Sequence, residues 1–308
     1  MPEVPQAGSV AGENRCREAS GLSRLGLLGP AGAGIRRPAR GVGRSGPAMR
    51  VRIDIPEAAL EFGFMNEPAG AHTSRTIMLS ELRGLLGAVA PAADYLEYQH
   101  AAVEMNAAHK ATLSTRQKTF RHLRELYSLS SDILLFRALR DLWTPDAAGE
   151  PLLAASCAAA RDPLLRVSSK RILEAPEGEE VTSEELEESV DRAFPERFRP
   201  DTLARTGRNI ASSWTQSGHL QGRARKVRTR ARCTATATAY ALFLGYLCGD
   251  RGEGLFRTLW ARLTDAPEHI LRAQAAEATR LGYLEYRHGG GVTEVSFPHL
   301  LRDEARIA

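Results

Sequence analysis

The stretch RPDTLARTGRNIASSWTQSGHLQGRARKVRTRAR, residues 199–232, combines the periodicity of a helix with a dense run of positive charge. Its apolar residues Leu203, Ile210 and Trp214 recur at a spacing that predicts one buried helix face. From Arg223 onward six of ten residues are basic and none is acidic. Because packed guanidinium groups repel one another, such a run favours an anionic partner, commonly a phosphate backbone.

The residues around this stretch predict a helix-turn-helix unit. Thr182 followed by glutamates is typical of a helix N-cap, and the helix it starts is predicted to end at Phe194. After a turn, a second helix begins near Asp201 and stops at Gly218, and Leu220 opens an extended basic segment. Helix, turn, helix and basic extension is the outline of a winged helix.

A second unit of the same outline follows. Residues 255–263 are predicted as one helix, and a second helix runs from Asp265 or Ala266 to Leu281. Two alternating runs, residues 283–287 and 292–297, flank a glycine-rich turn and predict a β-hairpin. This unit is not basic, which favours a structural or protein-contact role.

Most of the remaining chain has the apolar spacing of helices. The sequence therefore predicts a mainly α fold, a helical bundle with one or two winged-helix-like units and a small C-terminal β-hairpin. We expect an N-terminal helical domain at 49–175, the first winged-helix-like unit at 176–232 and a C-terminal unit at 233–308. The predicted helices before residue 176 span residues 76–89, 95–110, 115–127 with Ser114 or Thr115 as cap, 130–143, 152–160 and 163–173.

The net charge of +4 comes from the N-terminal segment. Residues 1–48 carry seven arginines and three glutamates, and the other 260 residues hold 34 basic and 34 acidic groups. The segment is rich in Gly, Pro and Ala without periodicity, so we expect it to be disordered, and Met49 is a candidate for the true start. The clustering of charge, rather than the total, therefore indicates a partner.

The sequence shows no catalytic, metal or membrane signature. The four cysteines form no CxxC pair, the eight histidines are isolated, and no nucleophile motif is present. We expect no enzyme activity, cofactor or metal. The longest apolar run, residues 237–248, is too short to span a bilayer, and unpaired thiols fit a reducing cytoplasm.

Several segments together resemble the BrxA family. They are DPLLR at residues 162–166, the acidic helix start that follows, residues 199–222, residues 115–126, and LFLGYLCGDRGEGLF at residues 242–256. The similarity in layout covers residues 73–297. It implies a small, mainly helical, cytoplasmic and non-enzymatic DNA-binding component of BREX phage-defence systems, acting with larger partners such as a methyltransferase and an ATPase.

We therefore expect the protein to bind DNA through phosphate contacts. Arg205 and Arg208, spaced i, i+3, share one exposed helix face and lead into the basic extension. Two alternatives remain open: an adaptor in a multiprotein complex, using the second unit and the apolar helix at 130–143 as contact faces, and a winged-helix transcriptional regulator. The predicted nucleic-acid-binding residues are Arg205, Arg208, Arg223, Arg225, Lys226, Arg228, Arg230 and Arg232.

Overall fold

Helices dominate the computed structural model, which describes residues 54–68 and 70–302. The predicted disorder of residues 1–48 and the proposed start at Met49 lie outside the described residues. The α-helices are α1 (Leu79–Ala88), α2 (Tyr95–Val103), α3 (Leu113–Tyr127), α4 (Leu134–Trp143), α5 (Glu150–Arg161), α6 (Pro163–Glu174), α7 (Ser183–Ala193), α8 (Pro200–Gln216), α9 (Ala235–Leu247), α10 (Leu259–Leu263) and α11 (Glu268–Arg280). Short 3₁₀ helices cover Glu57–Phe62, Ala71–Thr73 and Gly252–Arg257.

Two small antiparallel sheets complete the described fold. The first pairs β1 (Leu220–Gln221) with β2 (Val227–Arg228), and the second pairs β3 (Glu285–Gly289) with β4 (Val292–Ser296). The second sheet is the predicted C-terminal hairpin, whose turn glycines Gly290 and Gly291 both have positive φ. The prediction of a mainly α fold with this hairpin is confirmed.

Side-chain caps fix where several helices begin. Asp94 and Thr182 each form a capping box, with Glu97 and Glu185 respectively, as the sequence predicts for α2 and α7. The cap of α3 differs from the prediction, because the Oγ1 of Thr112 accepts the N–H of Thr115.

Several predicted helix spans were wrong. α1 begins at Leu79 rather than near residue 76, and α4 begins at Leu134 rather than at residue 130. α2 ends at Val103 rather than near residue 110, because Asn106 and His109 have positive φ and cannot continue a helix. Residues 255–263 do not form one helix. A 3₁₀ helix, Gly252–Arg257, ends within this range. Thr258 then caps α10, because its side chain accepts the N–H of Ala261.

The apolar helix α4 lies in the interior. Eight of its ten residues are buried, including Phe136 and Trp143. Its hydrophobic face is already covered by the rest of the chain, since α4 packs against α5 and α9. The expectation that residues 130–143 offer a contact face to another protein was therefore wrong.

The centre of the fold is α9, which is buried on nearly all sides. Twelve of its thirteen residues are buried, and it packs against α4, α5, α10 and α11. The main hydrophobic core is continuous from Ile55 to Leu300, and the described residues 54–68 and 70–302 belong to one compact unit. The predicted division into units at 49–175, 176–232 and 233–308 stays a prediction, and buried residues of all three ranges belong to the same core. None of the helices at residues 54–68 and 70–302 is long and apolar enough to cross a membrane.

A glycine allows α7 and α8 to cross at short distance. A Cβ at Gly207 would lie 2.4 Å from the backbone oxygen of Ser183, closer than real contacts allow. By contrast, a Cβ at Gly87 on α1 would meet nothing within 4 Å. Substituting each glycine with alanine therefore separates the effect of close helix packing at Gly207 from that of helix propensity alone at Gly87.

Gly207→Ala is expected to lower the free energy of unfolding by about 1–3 kcal/mol, because the new methyl group forces the two helices apart. Gly87→Ala, the matched control, should raise it by up to about 1 kcal/mol through helix propensity. Urea denaturation measures both. A Gly207→Ala protein as stable as the unchanged chain would contradict the close crossing.

Candidate nucleic-acid interface

A third extended segment flanks the first sheet, at residues where no strand was predicted. The N–H of Gly178 donates to the carbonyl of Arg228 at 2.9 Å, and the N–H of Arg228 donates to the carbonyl of Glu179 at 2.8 Å. The N–H of Val181 donates to the carbonyl of Lys226 at 2.9 Å. Strand β2 therefore has residues 178–181 on one side and β1 on the other, where Leu220 pairs with Arg228.

Helix α8 presents its apolar face to the core and its arginines to solvent. Leu203, Ile210 and Trp214 are buried, and the indole N–H of Trp214 donates to the Oγ of Ser168 at 2.8 Å. On the other side, the side chains of residues 205 and 208 are exposed, as predicted. The proline at N1 and the positive φ of Gly218 bound the helix at its two ends.

The predicted basic residues fall into three environments. One group is exposed and makes no ion pair within the described part of the chain. Its members are Arg205, Arg208, Arg223 and Arg232.

A second group is engaged with neighbours at the surface. Arg225 pairs with Glu180 at 2.7 Å, and Arg230 pairs with Glu177 at 3.1 Å. The Nζ of Lys226 donates to the Oγ1 of Thr215 at 3.0 Å, and partial burial lowers the pKa of Lys226. Exposed ion pairs of this kind are weak, so these cations remain accessible to a competing anion.

Arg228 alone forms the third environment, the interior. Its side chain is 6% exposed and donates to both carboxylate oxygens of Asp265, at 2.5 and 2.8 Å. Its Nε also donates to the carbonyl of Ile172 at 2.8 Å. The structure therefore places Arg228 where it joins β2 to the turn before α11, away from any surface that a phosphate could reach.

Asp265 is held as a carboxylate by these contacts. Burial alone would raise the pKa of Asp265, but the hydrogen bonds from Arg228 and the backbone N–H of Ala231 lower it overall. Its backbone has positive φ, which is uncommon outside glycine. The turn before α11 is thus shaped around the ion pair.

A cleft of about 420 Å³ separates α8 from the tip of the β1–β2 hairpin. Its basic lining residues are Arg208 from α8 and Arg223 and Lys226 from the hairpin. Glu184, in the first turn of α7, also lines it, and its own backbone N–H, the Ser183 hydroxyl and the charge of Arg208 lower the pKa of Glu184. The cleft brings cations that are distant in sequence onto one surface.

A buried Ser–His–Asp arrangement lies behind α8, and the sequence did not reveal it. The Nδ1 of His72 is 2.7 Å from Asp162, and its Nε2 is 3.0 Å from the Oγ of Ser213. The order of groups is that of a hydrolase triad. However, all three side chains are buried, and the Oγ of Ser213 already donates to Asn209 and accepts from the N–H of Ile77.

These polar groups act as a clamp on α8. Besides Ser213, the amide of Asn209 donates to the carbonyl of His72 at 2.9 Å. Burial alone would raise the pKa of Asp162, but His72 and two backbone N–H groups lower it overall. His72, which the sequence indicated as isolated, therefore connects α8 to the start of α6 and to the segment before α1.

His219 is the second buried histidine near this surface. Its Nδ1 is 2.8 Å from the Oγ of Ser217, and its Nε2 is 3.1 Å from the carbonyl of Leu263. Burial, reinforced by the charge of Arg228 and opposed by that of Asp265, lowers the pKa of His219 to about 4. The imidazole is therefore neutral in the folded protein near neutral pH.

Arg228→Ala is expected to lower the free energy of unfolding by about 3–5 kcal/mol, because it leaves the Asp265 carboxylate buried without its partner. Arg230→Ala, two residues along and exposed, should change it by less than about 1 kcal/mol. Urea denaturation distinguishes the two variants. Equal stabilities would show that the buried pair does not support the fold.

The free energy of unfolding should fall as the pH drops from about 6.5 to about 4. In this window the unfolded chain protonates His219 and the folded chain does not, so acid favours unfolding. The loss approaches about 1.4 kcal/mol per pH unit for this one group. His219→Gln removes the titration, and its stability measured by denaturation should decline less over the same window; identical pH profiles would contradict this assignment.

No known protein-family model matches the chain, and no curated protein matches it significantly. The resemblance to the BrxA family therefore stays a hypothesis. What this surface does must be inferred from its own residues.

Proposed function

We propose that residues 163–228 form a winged-helix unit that binds double-stranded DNA mainly through its phosphates. The order of elements supports this proposal. A winged helix has a helix, a short strand, two further helices and a hairpin. Here that order is α6, the extended residues 178–181, α7, α8 and the β1–β2 hairpin. In this proposal α8 is the helix that faces the duplex and the hairpin is the wing.

The convergence of cations at the cleft carries the proposal. Arg208 on α8 and Arg223 and Lys226 on the hairpin line the same cleft, although at least fourteen residues separate Arg208 from the hairpin pair. Arg205 lies one turn before Arg208 on the exposed face of α8. Cations without ion pairs on a convex helix and an adjoining hairpin suit a polyanionic backbone.

The phosphate-contact set is narrower than the sequence predicted. Arg228 leaves it because its guanidinium is committed to Asp265. Arg225, Arg230 and Lys226 belong to it as cations with weak surface partners. The strongest candidates are Arg205, Arg208 and Arg223, with Arg232 beyond the hairpin.

We further propose that this DNA-binding activity serves a BREX-type anti-phage system. The support is the resemblance to the BrxA family, whose quoted segments coincide with structurally central elements. Residues 199–222 supply α8 and β1, and residues 242–256 supply the second half of α9 and the helix after it. The resemblance implies cytoplasmic partners such as a methyltransferase and an ATPase, and affinity purification from the native host tests for them.

An adaptor role is the second candidate, and exposed apolar residues on the C-terminal unit favour it. Ile270 in the first turn of α11 is 39% exposed, Leu281 just after that helix is 51% exposed, and Val292 on β4 is 69% exposed. Stable protein partners in that purification, with no nucleic acid and no effect of the arginine substitutions below, would favour this role over DNA binding.

The triple substitution of Arg205, Arg208 and Arg223 with Ala is expected to weaken duplex binding at least about tenfold near 100 mM salt. The slope of log affinity against log salt should also become shallower, by roughly 0.9 for each phosphate that the variant no longer neutralises. Fluorescence anisotropy with a labelled random-sequence duplex at several salt concentrations measures both quantities.

The matched control replaces Arg262, Arg280 and Arg287 with Ala. These three arginines are exposed on the C-terminal unit, so the change in net charge is the same. The control should retain nearly the affinity of the unchanged protein. If both triple variants lose affinity equally, net charge rather than the α8 surface governs binding, and the proposed site is wrong.

A further inference from the structure

The acidic segment at residues 177–185, which leads into α7 and includes its first turn, lies directly against the proposed DNA-binding cations. Glu177 pairs with Arg230 at 3.1 Å, and Glu180 pairs with Arg225 at 2.7 Å. Further along, Glu184 and Arg208 line the same cleft. Hydrogen bonds from its own backbone N–H and from the Ser183 hydroxyl lower the pKa of Glu184, and the charge of Arg208 adds to this shift.

Backbone pairing, rather than chance side-chain contact, holds the acidic segment in this position. Residues 178–181 hydrogen-bond to β2, so Glu177 and Glu180 are held beside the strand that leads into Arg230. Thr182 then caps α7 and fixes the position of its first turn, which carries Glu184. The register of one small sheet therefore brings the acids and the basic hairpin together.

The other two glutamates of the segment have a different partner. Glu179 and Glu185 both accept from the guanidinium of Arg171 on α6, at 2.6 and 2.9 Å. This divides the segment by function: two acids tie it to α6, and three face the cations of the proposed interface.

We propose that Glu177, Glu180 and Glu184 form a built-in anionic competitor. DNA phosphates must displace Glu177 from Arg230 and Glu180 from Arg225, and they must also overcome the repulsion of Glu184, which lines the cleft beside Arg208. This inference rests on the proposed function. Each exposed ion pair is weak, so a phosphate can replace the carboxylate. A ligand with a single anionic group, however, gains little binding free energy by replacing only one ion pair. A duplex, which presents many phosphates and also meets the unpaired Arg205 and Arg223, gains from all of them together.

The competitor has a direct test by charge removal. The variant Glu177→Gln/Glu180→Gln/Glu184→Gln should bind a random-sequence duplex about tenfold more tightly near 100 mM salt. The control variant Glu174→Gln/Glu188→Gln/Asp191→Asn makes the same change in net charge on exposed residues of α6 and α7 that form no ion pair in the described structure. It should tighten binding by less than about threefold, through long-range attraction alone.

A double-substitution cycle localises the effect. Glu180→Gln should tighten binding in the unchanged background but not in an Arg225→Ala background, because the cation that Glu180 occupies is then gone. This single substitution also provides the test if the triple variant is shown by circular dichroism not to fold.

The outcomes separate the competitor from the proposed function. Equal tightening by the two triple variants, or an effect of Glu180→Gln that persists without Arg225, would overturn the competitor. No tightening, while Ala at Arg205, Arg208 and Arg223 still weakens binding, would overturn it and leave DNA binding standing. Absence of duplex binding by every variant, including those with fewer acids, would overturn both.

Discussion

The buried ion pair between Arg228 and Asp265 fixes the position of the basic β1–β2 hairpin. Arg228 is part of β2, and its partner is in the turn before α11, so the pair holds the hairpin to the C-terminal half of the chain. A paired charge in the interior is acceptable only when its hydrogen bonds are satisfied, and here Ile172 and Ala231 supply the additional contacts. In the arginine-rich run 223–232, Arg228 therefore stabilises the fold, and the other arginines lie on the surface.

Local sequence patterns predicted the elements whose causes are local. The caps at Asp94 and Thr182, the burial of Trp214 and the C-terminal hairpin follow from spacing, capping chemistry and turn glycines. The exposure of Arg205 and Arg208 on α8 was likewise predictable, from their spacing opposite the apolar residues. Where the backbone left the helical region without a proline or glycine to mark it, as at Asn106, the predicted helix continued too far.

Contacts between distant segments were not predictable from these patterns. His72 and Ser213 are 141 residues apart, and nothing near either residue indicates the other. The extended residues 178–181 are acidic and lack strand periodicity, and they are ordered because β2 offers its free edge. For the same reason, Arg228 was grouped with its exposed neighbours, since only the position of Asp265 distinguishes it.

In the proposed complex with DNA, the clamp on α8 determines which partner changes shape. Its inward side is bonded through Asn209, Ser213 and Gln216 to backbone and side chains of residues 72–79. A helix fixed at three successive turns loses little conformational freedom on binding and cannot tilt to follow a curved groove. The protein would act as a rigid template, and the duplex would supply the bending, so that affinity would vary with the stiffness of the DNA even where no base is touched.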